Sequence, residues 1–274
     1  MQMDEPLLPL IVSPNELNSV LGEKDVIVVD LNLPETYALG HVPGAISFSF
    51  AELLDPRPPA MGFIASENNL SKIFSEAGIT PESHVVAYDS EGTGKACRFL
   101  WTLDVVGHKG MSLLNGGFPA WQKSELEVEL AAQQVKSTKY EVKIGTKGIA
   151  DKEYILSHLN DNSVVVIDCR SAAEYAGQDI RSARGGHIPG SINMDWLLTL
   201  DCSQGFIKKS DKDLNALFGN LGITRDKEVI VHCQTHHRSS HTYIILKHLG
   251  YEKVRGYDGS WSEWGNDMNL PIEI

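Results

Sequence analysis

The run VIVHCQTHHRSS, at 229–240, gathers a cysteine, three histidines and an arginine behind a short apolar segment. Those residue types serve nucleophilic, metal-binding or anion-binding chemistry. The apolar segment reads as a buried parallel strand, and RSSHTYIILKHLGY behind it as a helix. A loop between the carboxyl end of a parallel strand and a helix N-terminus is where α/β sheets bind ligands. Loop amides and the helix dipole converge there, and both favour an anion. A cysteine in that turn, Cys233, should have a lowered pKa and be partly thiolate at neutral pH. Arg238 opens the helix with a permanent positive charge, and His236 and His237 can add more as the pH falls. The loop from 233 to 238 is therefore expected to stabilise both a thiolate and an anion delivered to it.

Two other chemistries compete for the same residues. His232, Cys233, His236, His237 and His241 are all metal-ligand types, and His237 and His241 lie four apart on the helix. Adjacent histidine and cysteine on a strand point to opposite faces, however, and no C-x-x-C or carboxylate-completed histidine pair is present. No metal is expected. Cysteine-dependent phosphatases also use a cysteine, a turn of amides and an arginine, in the pattern C-x5-R. Here Arg238 follows Cys233 after only four residues. The shorter loop makes a smaller cradle, better suited to one sulfur atom than to a tetrahedral phosphate. Of the other cysteines, Cys169 closes a strand without such a loop, Cys97 sits in a helical stretch and Cys202 in a loop. None has a charged cradle in sequence.

The elements that must position the loop occur twice. DVIVVDLNLPETYALGHVPGAI is answered by SVVVIDCRSAAEY and GGHIPGSI, HVVAYDS by EVIVHCQ, and LLNGGFPAW by GYDGSWSEW. The order is kept, with offsets of roughly 138 to 146 residues, as a duplicated domain requires. Asp89 stands at the position matching Cys233, and a carboxylate cannot replace a thiol nucleophile; one copy is expected to be catalytic and the other scaffold. Runs 26–30, 85–88, 164–168 and 229–232 are short and apolar on both faces, as buried parallel strands are. Ser13 to Glu16 reads as a capping box with proline at the first helical position. Gly78 should stop a helix over 70–77, and Asp151 and Ser210 are candidate N-caps. The expected fold class is α/β, two tandem domains, each a parallel sheet flanked by helices. The domains are placed at 1–123 and 148–274, joined by a polar linker over 124–147.

Composition narrows the partners. The formal charge of −12 over 274 residues argues against nucleic acid or an acidic membrane as the main partner. An anionic substrate thus needs a locally positive pocket. The stretch MQMDEPLLPLIVSPNEL has no basic region and no long apolar core, so no signal peptide is expected. Four cysteines in such a chain point to free thiols and a cytoplasmic setting.

These motifs resemble the two-domain rhodaneses, the thiosulfate sulfurtransferases, over nearly the whole chain. The resemblance rests on VVVIDCRSAAEY, GGHIPGSINMDW, the loop CQTHHR, GYDGSWSEW, and VVDLNLPETY, GHVPGAI and LNGGFPAW. The loop CQTHHRS is similar to that of bacterial thiosulfate-type enzymes and departs from the CGSGVT-like loop of mercaptopyruvate sulfurtransferases. The resemblance implies an inactive first domain and a second domain in which Cys233 takes the outer sulfur of thiosulfate as a persulfide and releases sulfite. A thiophilic acceptor such as cyanide, a thiol or a protein then takes the sulfur. It further implies substrate binding by Gln234, Thr235, His236, His237 and Arg238, with Trp196 at the pocket mouth and Asp168 orienting the loop. Arg170 matches a family arginine, as a substrate contact or as an ion pair fixing the loop. Glu174 stands where animal rhodaneses carry a second arginine. No cofactor and a monomer are implied. Mercaptopyruvate transfer and a persulfide carrier serving a protein acceptor are the alternatives.

Overall fold

The computed structural model describes residues 7–274, so part of the N-terminal stretch read for a signal peptide lies outside the described residues. Among the described residues, no helix is long and apolar enough to cross a membrane. The chain forms two compact units. The first takes the chain up to Leu53, then Ala65–Ile144 and Ser203–Ile207; the second takes Leu54–Ile64, Gly145–Cys202 and Lys208–Ile274.

The first unit opens with β1 (Ile11–Val12) and α1 (Pro14–Asn18), whose N-cap Ser13 forms the full capping box with Glu16. Then come β2 (Val26–Asp30), α2 (Pro34–Leu39), β3 (Ile46–Ser47) and α3 (Glu67–Glu76). Helix α3 stops at Gly78, which takes the left-handed conformation at φ 71° that glycine adopts without steric cost. Strand β4 (His84–Tyr88), α4 (Gly94–Val105), β5 (Met111–Leu114) and α5 (Gly117–Lys123) complete the unit. The strands form one sheet in the order β1-β5-β4-β2-β3, with every pair parallel.

The second unit repeats the plan with β6 (Ile149–Ala150), α6 (Lys152–His158), β7 (Val164–Asp168), α7 (Ala172–Tyr175) and β8 (Ile192–Asn193). After two short extended pieces, β9 (Leu200–Asp201) and β10 (Ile207–Lys208), come α8 (Asp211–Asn220), β11 (Glu228–His232), α9 (Arg238–His248), β12 (Val254–Tyr257) and α10 (Ser260–Trp264). Asp151 and Ser210 are the N-caps of α6 and α8. The sheet order is β6-β12-β11-β7-β8, again all parallel. The α/β expectation, two parallel sheets flanked by helices, is met.

Residues 124–147 hold no helix or longer strand. From Thr138 to Ile144 this chain runs extended along α3, and the Tyr140, Val142 and Ile144 amides donate to Ser75, Ser71 and Glu67.

The duplication is legible down to single hydrogen bonds. His41 stacks on Tyr37 and meets its carbonyl through Nδ1; His187 does the same with Tyr175. Glu129 bridges His41 and accepts from the Gly44 amide, as Glu273 bridges His187 and accepts from Gly190. These histidines are structural pins. In the second unit the core gathers Ile155, Val166, Ile188, Ile230, Tyr257, Trp261 and Trp264. Helix α9 is buried from Ser239 to Leu246, polar residues included, so its N-terminal turn is fixed from all sides.

Candidate active site

Cys233 is the residue after β11, and Arg238 is the first of α9. Between them the chain curls through His236, whose φ of 59° is in the left-handed region. For a residue with a Cβ this costs on the order of 1 kcal/mol, which the surrounding packing must offset. The N-cap of α9, His237, makes no capping bond with its side chain. The loop is also held from outside. The Trp261 and Ser262 amides donate to the carbonyls of Cys233 and Gln234, each at 2.9 Å. The segment Leu54–Ile64 lies against it at Gly62, where a Cβ would come 2.8 Å from the Thr235 carbonyl oxygen and 2.4 Å from that of Asp258. Only glycine fits there. Ile64 N–H anchors the same segment on the Asp258 carboxylate at 2.8 Å.

Burial by itself raises a thiol pKa, and Cys233 is only 1 % exposed. Here the opposing effects win. The Arg238 charge, the Ser239 hydroxyl and the backbone N–H groups of Ser239 and Thr235 all favour the thiolate, and the net pKa is lowered. Ser239 Oγ in turn lies 2.7 Å from His236 Nδ1. With the hydroxyl proton directed at sulfur, the imidazole must donate to the oxygen. Cys169 is the internal contrast: it is equally buried, its thiol donates to Thr242, and its pKa is pushed well above the ordinary value. Cys97 is raised in the same way by burial, and Cys202 is exposed.

Arg238 is gripped at two points by Glu174, at 2.6 and 2.8 Å. Burial would raise the Glu174 pKa. The Arg238 hydrogen bonds and charge, the Ser171 amide and Arg181 reverse that and hold it at about 2. Glu174 is thus the holder of Arg238.

The other residues singled out in sequence fall into three groups. Thr235, His236 and His237 line the turn with Cys233 and Arg238, while the Gln234 side chain turns away to Ser182 and the Arg181 carbonyl. Arg170 and Asp168 form a buried bidentate ion pair. The Arg170 guanidinium lies 4.4 Å from the Trp261 ring and also donates to Gly186. This is the ion-pair option of the two open for Arg170. Trp196 is half-buried, edge-on to His241. The ligand-type histidines diverge: His232 faces Asp168 at 3.7 Å, His241 meets Thr199, and His236 meets Ser239. Among the described residues, no group of three or more histidine, cysteine or acidic side chains is arranged to hold a metal. Sequence reasoning missed Ser239, Ser260, whose hydroxyl oxygen accepts from the Cys233 amide at 3.4 Å, the grip of Glu174 on Arg238, and Gly62. The first stands in the quoted run beside the arginine, and the others come from distant segments that only the fold brings in.

The sequence pattern of the Rhodanese-like domain matches residues 13–124 and again 151–267. The chain belongs to the rhodanese-like domain family. It is 40 % identical to a thiosulfate sulfurtransferase of Pseudomonas aeruginosa, over 97 % of this chain and 98 % of that protein. A thiosulfate sulfurtransferase of Azotobacter vinelandii is 38 % identical over the same shares. The crystal structure of a 3-mercaptopyruvate sulfotransferase from Escherichia coli superposes with a TM-score of 0.82 at 25 % identity, covering 93 % of this chain and 99 % of that one.

The first rhodanese-like domain fills the corresponding turn with a different side chain. Its loop from Asp89 to Gly94 has the length of the loop from Cys233 to Arg238, although Thr93 is left-handed where His237 is not. There, however, the Asp89 carboxylate folds back into the cradle and accepts the amides of Glu91, Thr93 and Ala96 at 2.8–2.9 Å. The turn's amides are thus occupied by a carboxyl group of the chain itself, one whose pKa burial pushes up. Asp89→Ala leaves these buried donors without their acceptor, each worth about 1–3 kcal/mol when unpaired. The expected outcome is a lower Tm in calorimetry, with partial recovery when a small anion such as sulfate is added. An unchanged Tm would show that the amides are not held by the carboxylate.

Proposed function

We propose that this rhodanese-like protein is a thiosulfate sulfurtransferase with Cys233 as its nucleophile. The observation that carries the reading is a buried thiol whose pKa is nonetheless lowered, in a turn of amides beside an arginine. In the first half-reaction the Cys233 thiolate attacks the outer sulfur of thiosulfate. A new S–S bond forms, the bond to the sulfite sulfur breaks, and sulfite leaves with that electron pair. The persulfide's outer sulfur then carries the negative charge, and the Thr235 and Ser239 amides and Arg238 are the donors for it, as in an oxyanion hole. In the second half-reaction a thiophilic acceptor such as cyanide attacks the outer sulfur, thiocyanate departs, and the Cys233 thiolate is restored. Neither step calls for a metal or an organic cofactor. His236 supports Ser239, His237 and Thr235 shape the turn, Asp168 with Arg170 fixes the strand end, and Trp196 stands at the rim. The protein is read as a cytoplasmic monomer; the free cysteines are what support the first part.

The second reading, 3-mercaptopyruvate as donor, is favoured by the fold shared with the Escherichia coli structure. Steady-state rates with the two donors and cyanide as common acceptor separate them. Thiosulfate is expected to give the higher kcat/KM. A dominant rate with mercaptopyruvate would overturn the choice.

A further inference from the structure

A buried carboxylate next to a nucleophile that must ionise is electrostatically costly, because like charges disfavour one another. Glu174 is such a group: its side chain is 2 % exposed, and it grips Arg238, whose charge in turn reaches Cys233. Its place is over-determined. Glu174 is the third residue of α7 and closes a capping box with Ser171, so its carboxylate is held before Arg238 arrives. The pair is absent from the first domain as a unit. Thr36 precedes Tyr37 where Glu174 precedes Tyr175, and Gly94 opens α4 where Arg238 opens α9. Both partners are present only in the half that carries the cysteine.

Resting on the reading of Cys233 as nucleophile, we propose that Glu174 is a positioning residue of the sulfur-transfer site, holding the Arg238 guanidinium at the nucleophile and setting the charge it presents. An arginine on a free side chain would swing towards solvent and leave the thiolate. One gripped at both nitrogens is fixed in place but partly neutralised. The site thus keeps a directed cation while avoiding a pocket so positive that sulfite or thiosulfate would be retained. The other ionisable groups near Cys233 bear differently on it. Arg181 adds a more distant positive charge at 3.7 Å from Glu174. Cys169 and His232 are kept neutral by burial, Asp168 and Arg170 pair with each other, His236 acts through Ser239, and Asp258 is tied to Ile64 and Gly259.

Glu174→Gln and Glu174→Ala remove the same charge, but only glutamine keeps an acceptor oxygen for Arg238. The difference between them therefore reports the grip alone. The readout is the pH midpoint of Cys233 alkylation by iodoacetamide, together with KM for thiosulfate. In Glu174→Gln the midpoint should fall below that of the wild type and KM should fall with it. In Glu174→Ala the midpoint should lie about one pH unit above that of the glutamine variant, with KM raised severalfold. Equal midpoints in the two variants would reduce Glu174 to a helix cap and overturn the proposal. Should the alanine variant not fold, the downward shift in Glu174→Gln against the wild type is the deciding result, and no shift overturns it. Intact mass of the wild type after thiosulfate treatment separates the two failures. Without an added sulfur the reading of Cys233 falls and takes this proposal with it; with one, only the Glu174 result decides.

Discussion

Cys233→Ser is expected to lower thiosulfate:cyanide sulfurtransferase activity by about three orders of magnitude or more, the scale seen when a covalent nucleophile is removed. The reason lies in what the cradle can ionise. Arg238, Ser239 and the amides of Ser239 and Thr235 pull a thiol below its ordinary range against the opposing effect of burial. A hydroxyl starts many units higher, and the same field leaves it protonated. The shorter oxygen also stands farther from an incoming sulfur. The fold itself should persist, since serine is smaller than cysteine and its hydroxyl oxygen can accept from the same neighbours. Equal Tm values with activity lost would place the effect in chemistry. Cys169→Ser is the matched control: that thiol is held protonated by burial, so activity should stay within a few-fold of the wild type. Activity that survives Cys233→Ser and falls with Cys169→Ser would reverse the assignment.

Arg238→Leu should act on both activity and stability. Removing the fixed cation from the site is expected to cost about 10²–10³ in kcat/KM, the scale of a lost charge-stabilising donor. It also leaves the Glu174 carboxylate buried without its partner, which costs about 3–5 kcal/mol at neutral pH. The pH dependence follows from the sign of the Glu174 shift. Its folded pKa, about 2, lies below the ordinary value of 4.5. The pair's contribution is therefore complete above about pH 4.5 and is lost as the pH falls towards 2. Urea unfolding should thus show a large gap between wild type and Arg238→Leu at pH 7 that narrows by pH 3. Replacing both partners, Arg238→Leu with Glu174→Leu, should restore most of the stability at pH 7 without restoring activity. A gap of the same size at both pH values would mean that the loss is one of packing and not of the charge pair.

Much of this was legible in the chain itself. Parallel strands buried on both faces announce themselves as short β-branched runs, and His232 ends one such run directly before Cys233. The cap at Ser13, the stop at Gly78 and the repeated Gly-His-x-Pro-Gly turn are local signals, set by residues within a few positions of one another. The spacing of Cys233 and Arg238 is equally local, and it fixes the size of the cradle. The partners of that cradle are not local. Glu174 and Arg238 stand 64 residues apart, and nothing in either neighbourhood says that they meet. Gly62 sits in the first half of the sequence, yet its segment packs on Thr235 and Asp258. Arg170 could be read equally as a substrate contact or as an ion pair, because an arginine two residues after an aspartate can turn either way; in the fold it pairs with Asp168 and lies over Trp261. Asp89 was readable as a residue that lacks a thiol. That it fills its own amide cradle needed the backbone of the turn.

The central claim is that Cys233 carries sulfur covalently, and intact-mass spectrometry tests it most directly. After treatment with thiosulfate and removal of the excess, the wild-type protein should gain the mass of one sulfur atom. Cyanide should remove that sulfur and yield one equivalent of thiocyanate, and Cys233→Ser should gain nothing. An unmodified wild-type protein that still turns over thiosulfate, or an added sulfur that persists in Cys233→Ser, would contradict the account.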